Sequence, residues 1–171
     1  MSDQPLAPEG EALARERRER MPEVDGLWVS PLKRCRQTAE LLFPGMEQRI
    51  VPDLQECDFG DYECKTWEEL KDEEIYRAWI GGDMTITFPH GESMEHFIAR
   101  CRRGIQTVAQ QAKALGLERP AIVAHGGTWL VVMGTFGRPE RKLYDWQIKN
   151  CGGFRVSVQE NSFTLKLLEE L

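Results

Sequence analysis

Four short stretches of the sequence hold residues whose types and spacing could do chemistry. The first is Ile122-Val123-Ala124-His125-Gly126-Gly127-Thr128-Trp129. A short β-favouring run reaches a lone histidine, two glycines follow, and an apolar stretch then reads as a helix. Open α/β sheets place ligands at the carboxyl ends of their strands. The N-terminus of a following helix offers unpaired N–H groups and a positive dipole end, which suit an anion. Gly126 and Gly127 would let the backbone come close to that anion. The plain alternative is a satisfied core histidine followed by a glycine turn.

The second stretch is Ser30-Pro31-Leu32-Lys33-Arg34-Cys35-Arg36-Gln37-Thr38-Ala39, where a strand hands over to a helix. Arg34 falls off the apolar stripe, with Thr38 one turn on along the same face. An arginine there is well placed to hold a phosphate with its fork of donors, although a solvated helix face reads the same way. The third, running from Leu54 to Glu63, mixes acids with aromatics in a loop. A carboxyl group in such a setting can have its pKa raised and act as a general acid, although acidic loops are usually just solvated. The fourth is Phe88-Pro89-His90-Gly91-Glu92-Ser93, either an anion-facing turn or simply a good helix start.

The elements that must position these residues alternate along the chain. Residues 9–21 read as an exposed, charged helix, and Leu27-Trp28-Val29 as a short buried strand. Pro31 is expected to open a helix in which Leu32, Cys35, Ala39 and Leu42 share one side. Pro44-Gly45 ends it, and Arg49-Ile50-Val51 is a brief strand. Thr66 and Glu69 form a capping box for a single helix that Gly81-Gly82 stops. Ser93 caps a long helix to about Leu115. The end of the chain alternates as a two-stranded hairpin turned near Asn161. Strands alternating with helices predict one α/β domain over residues 1–171, a three-layer α/β/α sandwich with a mostly parallel sheet.

Composition narrows the function. The chain has 171 residues, 41% hydrophobic and 29% charged, as in an ordinary globular protein. A net charge of −6 argues against a general nucleic-acid binder, because a phosphate backbone demands a basic face. A small phosphorylated substrate needs only a local basic pocket. No apolar run is long enough to span a membrane, and no signal peptide is read. Cys35, Cys57, Cys64, Cys101 and Cys151 are scattered and odd in number, which favours reduced thiols in the cytoplasm.

Taken in order, the motifs resemble the histidine phosphatase superfamily, in its phosphoglycerate mutase-like branch. The matching residues are Asp3-x-Pro5-Leu6 with Gly10, Ser30-Pro31-Leu32-x-Arg34-x-x-x-Thr38-Ala39, Glu56-x-x-x-Gly60-x-x-Glu63, Gly91-Glu92-Ser93, and Val123-Ala124-His125-Gly126-Gly127. The resemblance implies phosphoryl transfer in two steps through a phosphohistidine. A histidine takes the phosphoryl group while a carboxylic acid protonates the leaving oxygen, and water or another acceptor then releases it. It implies Arg34 as a phosphate-binding arginine, Glu56 as the proton donor and His125 as a second histidine of the pocket. Ser30, Glu92, Ser93 and Gly126 become candidate substrate contacts, with no metal and no cofactor.

Two positions depart from that pattern. The resemblance places the nucleophile in an Arg-His-Gly motif ending a first strand, and these residues contain no Arg-His-Gly. The expectation is a chain that starts after that strand, with negligible turnover and a tendency to pair as a homodimer or aggregate. Cys64 stands where a glycine is usual. The segment between Glu56 and Gly91 is short, which favours a phosphomonoesterase acting on a small phosphorylated metabolite, of the sugar-phosphate or α-ribazole phosphate type. A phosphoglycerate mutase and an inactive phosphate-binding protein are the alternatives.

Overall fold

A computed structural model describes residues 2–159 and 162–171. Its centre is β1 (Gly26–Val29), buried throughout. The four residues are apolar or glycine, as a strand covered on both faces requires. Helix α1 (Pro8–Arg17) precedes it, α2 (Lys33–Leu42) follows, and the short β2 (Gln48–Ile50) comes next. After a loop come α3 (Trp67–Leu70), α4 (Glu74–Ile80), the long α5 (Met94–Ala114), β3 (Pro120–Val123) and α6 (Gly126–Phe136). The chain closes with β4 (Gly137–Arg138), β5 (Phe154–Gln159) and β6 (Thr164–Glu170).

Strand β1 pairs in parallel with β2 on one side and β3 on the other, Val29 lying opposite Ile50 and Val123. Side chains alternate across the sheet, and the two faces bury different helices. Leu27 and Val29, with Ala121 and Val123, pack on Cys35 and Ala39 of α2. Trp28, with Ile122 and Ala124, packs on Val108 and Ala112 of α5. That gives the three layers expected from the sequence. The remaining strands form a second sheet, β4-β6-β5, with β5 antiparallel and β4 parallel to β6. The expected hairpin is present as β5 and β6, while the turn near Asn161 lies outside the described residues.

Two local expectations are corrected. Pro31 does not open α2; the helix begins at Lys33 after an extended Leu32. The first N–H of α2 is satisfied from afar, by Asp3 Oδ1 accepting from Lys33 N at 2.7 Å. The helix from Thr66 is also not continuous. Its capping box forms, but the helix stops after Leu70, and Glu73 begins a new one in extended conformation. The acidic Asp72-Glu73-Glu74 run favours a fresh N-terminus over the middle of a helix. The break turns Leu70 inward and lets Tyr76 and Trp79 join an aromatic cluster with Tyr62 and Phe88. Among the described residues, no helix is long and apolar enough to cross a membrane.

Trp28 joins the layers: it is fully buried, and its Nε1 donates to Gln111 Oε1 at 2.7 Å. Trp28→Ala is expected to cost about 3 to 5 kcal/mol through the cavity it leaves. Urea unfolding followed by far-UV circular dichroism measures this, and a loss below about 1 kcal/mol would show that the layers do not depend on it.

Candidate active site

Parallel pairing of β1 and β3 brings Ser30, directly after β1, and His125, two residues after β3, together at the carboxyl end of the sheet. Ser30 Oγ lies 2.7 Å from His125 Nε2, and both residues are buried. Cys35, one turn into α2, brings its Sγ to 3.4 Å from the same nitrogen. Burial foremost, then the positive charges of Arg34 and Arg100, pull the His125 pKa down to about 3. The imidazole is therefore neutral across the physiological range. The same burial pushes the Cys35 thiol up to about 12, so it is an inert neighbour and not a thiolate.

Glu56 reaches this corner from the loop that follows Pro52–Leu54. Its Oε1 accepts from Cys57 N at 3.1 Å and its Oε2 from Gly127 N at 3.2 Å. Burial raises its pKa, opposed by those two N–H bonds and by Arg34 and Arg100. A carboxyl group whose pKa is raised holds its proton more readily and is suited to donate it. Glycine at position 127 has a steric reason, since a Cβ there would sit 2.5 Å from Glu56 Oε1. At Gly126 nothing lies within 4 Å of where a Cβ would be. The contact with Glu56 gives Gly127 a role that spacing along the chain does not reveal.

Arg34 is half-buried near the start of α2, and its Nη1 donates to Ser2 O at 3.1 Å. Its charge acts on both His125 and Glu56. Thr38, expected on its face, donates its hydroxyl to Arg34 O at 2.8 Å. Arg34, Glu56, His125, Ser30 and the α6 N-terminus thus gather in one place.

Glu92 and Ser93 serve the frame around it. Ser93 Oγ accepts from His96 N and caps α5. The Glu92 carboxylate receives a fork from Arg100, with Nε to Oε1 and Nη2 to Oε2 both at 2.7 Å. Arg100 is only 4% exposed. Its Nη1 also donates to Asp53 O and Gln55 O, and Nη2 to Glu56 O at 2.6 Å. It therefore fixes the backbone that carries Glu56. None of the motifs singles out Arg100, yet a signal exists: it shares a helix face with Met94, Phe97, Cys101 and Ile105, a charge inside an apolar stripe. Thr128 supports the same loop, donating to Gln55 O at 3.2 Å.

The Gly60 and Gly91 matches are explained by one crossing. A Cβ on Gly60 would fall 2.1 Å from Pro89 O, so the two loops touch backbone to backbone. Glu92 N donates across the crossing to Asp58 O at 2.8 Å. Cys64 has φ of +60°, the region that favours glycine. The other histidines lie elsewhere. His90 is exposed and paired with Asp61, and His96 is exposed and paired with Glu92. Among the described residues, no three His, Cys, Asp or Glu side chains gather to hold a metal ion.

The sequence profile of the histidine phosphatase superfamily (branch 1) matches residues 1–171. The chain belongs to this superfamily. An adenosylcobalamin/alpha-ribazole phosphatase of Salmonella typhimurium is 29% identical over 149 residues, covering 84% of this chain and 72% of that one. The crystal structure of a phosphoglycerate mutase from Thermus thermophilus superposes with a TM-score of 0.72 at 29% identity, covering 99% and 85%. The alpha-ribazole phosphatase of Shigella flexneri shares the fold, with a TM-score of 0.76 at 24% identity, covering 98% and 85%. The fold of this histidine phosphatase is therefore the phosphoglycerate mutase-like α/β arrangement expected from the sequence.

The depressed His125 pKa has a consequence for stability. Between about pH 6.5 and about pH 3, the unfolded chain binds a proton on this residue that the folded chain refuses. Its contribution is therefore unchanged above about pH 6.5 and is lost as the pH falls through that window, at up to about 1.4 kcal/mol per unit. His125→Gln is expected to flatten the acid limb of stability against pH, measured by urea titration at about pH 4, 5, 6 and 7. Parallel curves for the two proteins would refute the buried neutral histidine.

Proposed function

We propose that this chain carries the phosphate-binding and acid-donating apparatus of a phosphomonoester hydrolase acting on a small phosphorylated metabolite. The observation that carries this reading is the protonation-prone Glu56 carboxyl held by Gly127 N–H, beside a neutral His125 and the Arg34 charge. Arg34 and the α6 N-terminus take the phosphoryl oxygens, where charge grows as the ester bond breaks. Glu56 gives its proton to the leaving oxygen, so that an alcohol departs and not an alkoxide. His125 acts on the phosphoryl group as a neutral hydrogen-bonding partner oriented by Ser30. Gly126, with open space around it, leaves the backbone free for the phosphate to approach. Glu92 and Ser93 act on substrate indirectly, by holding the loop and helix around it.

The phosphohistidine step calls for a further histidine. Of His90, His96 and His125, none stands between an arginine and a glycine. The reading assigns the nucleophile to an Arg-His-Gly strand beyond these residues, next to β3, which among the described residues pairs with β1 on one side alone. The same lack of the motif favours a second reading, a phosphate-binding protein without turnover. The name of the Salmonella relative supports the hydrolase.

The test compares the 171-residue chain with the same chain preceded by a strand ending in Arg-His-Gly. The expected result is negligible p-nitrophenyl phosphate hydrolysis and self-association by light scattering for the first, and turnover by a monomer for the second. In the active form, Glu56→Gln should slow alkyl phosphate hydrolysis by about 10²- to 10⁴-fold and aryl phosphate hydrolysis much less. Equal losses would make Glu56 a mere positioning group. Robust turnover by a monomer of the 171 residues would overturn the assignment of the nucleophile.

A further inference from the structure

The two ring nitrogens of His125 have different surroundings. Nε2 lies 2.7 Å from Ser30 Oγ, and Ser30 is fully buried. Among the described residues, the one hydrogen-bonding atom against Nδ1 is the Cys35 sulfur, at 3.6 Å. That sulfur is 3.4 Å from Nε2 as well, so it touches both nitrogens and selects neither. The Ser30 hydroxyl is placed to select. Its oxygen accepts from Leu32 N at 3.4 Å, and it has one proton to give. The acceptors beside it are the Nε2 lone pair and the Cys35 sulfur. A thiol sulfur is a weak acceptor, and a bare imidazole nitrogen is a good one.

From this arrangement we infer that Ser30 is a positioning residue, whose hydroxyl donates to His125 Nε2 and fixes the ring's proton on Nδ1. A neutral imidazole has one donor nitrogen and one acceptor, and the bond made by one sets the state of the other. The ring stays neutral because burial, Arg34 and Arg100 all disfavour its charged form. The helix that follows agrees with this assignment. His125 occupies the N-cap position of α6, where an acceptor side chain ordinarily takes an N–H of the first turn. Its ring makes no such bond, as expected where the nitrogen left over is itself a donor. The consequence for substrate rests on the proposed function. Nδ1–H is the donor that remains for a phosphoryl oxygen, whereas the other tautomer would turn a lone pair toward the anion. Ser30 thus acts through His125 and does not touch the substrate.

The 171-residue chain carrying isotope-labelled histidine tests this without requiring turnover. Magic-angle-spinning nitrogen NMR tells a protonated ring nitrogen from a bare one, whatever the size of the assembly. His125→Gln identifies which signals belong to His125 rather than to His90 or His96. At neutral pH the expected spectrum shows Nδ1 protonated and Nε2 bare. Ser30→Ala removes the donor and is expected to move most of the rings to the Nε2–H form. It should also weaken inorganic phosphate binding, measured by equilibrium dialysis, by about tenfold, the order of one hydrogen bond to a charged acceptor. A bare Nδ1 in the unaltered chain overturns the inference, and that spectrum does not depend on any variant folding. A tautomer unmoved in Ser30→Ala also overturns it, and a loss of phosphate affinity alongside would mean that Ser30 touches the anion itself. A tautomer that moves as expected with phosphate affinity unchanged would keep the role of Ser30. It would instead overturn His125 as a partner of the phosphoryl group in the proposed function.

Discussion

The site depends on one buried guanidinium. Arg100 stands on the inward face of α5 and binds, with a single planar group, the Glu92 carboxylate and three backbone carbonyls of residues 53–56. An irregular loop so far inside the molecule would otherwise leave its carbonyls without partners. Burying an arginine is costly unless every donor is used and the charge is paired. Here Glu92 supplies the charge and the loop supplies the acceptors. Burial raises the Glu92 pKa, but the hydrogen bonds and charge of Arg100 outweigh it and hold the carboxylate below its ordinary range. The pair is therefore ionised wherever the protein is folded near neutrality.

With the loop fixed, the opposite behaviour of Glu56 follows. Glu92 and Glu56 lie on the two segments that Arg100 ties together, one answered by a fork and the other by two backbone N–H groups and more distant arginines. Desolvation wins at Glu56 because no guanidinium forms a direct bond with its carboxyl. At His125 desolvation acts together with Arg34 and Arg100, and all three favour the neutral ring. One dry corner thus shifts a carboxyl toward its protonated form and an imidazole toward its neutral form. Such divergent shifts in adjacent groups mark functional sites more often than structural ones.

The glycines of the matched motifs answer to contact rather than to flexibility. Gly127 leaves room for a carboxyl, and Gly60 and Gly91 let two loops cross at the backbone. Spacing along the chain reflects these approaches, which explains how motifs scattered along the whole chain come to resemble a known superfamily as a set.

The sequence by itself determined the periodic parts. The buried apolar run at Leu27-Trp28-Val29, the stripe Leu32, Cys35, Ala39 and Leu42, the cap at Ser93 and the alternating final hairpin are local patterns, set by side-chain direction within each element. They sufficed for the α/β layers, and the motif resemblance pointed to Arg34, Glu56 and His125 as candidate site residues. Tertiary structure alone decided the rest. That Asp3 caps α2, that the helix after Thr66 breaks, that Arg100 carries the Glu56 loop, and that aromatic residues from separate segments form one cluster all depend on contacts between distant positions. Periodicity carries no record of such contacts, because a buried arginine or a ring in a loop satisfies its chemistry through partners that only folding brings near.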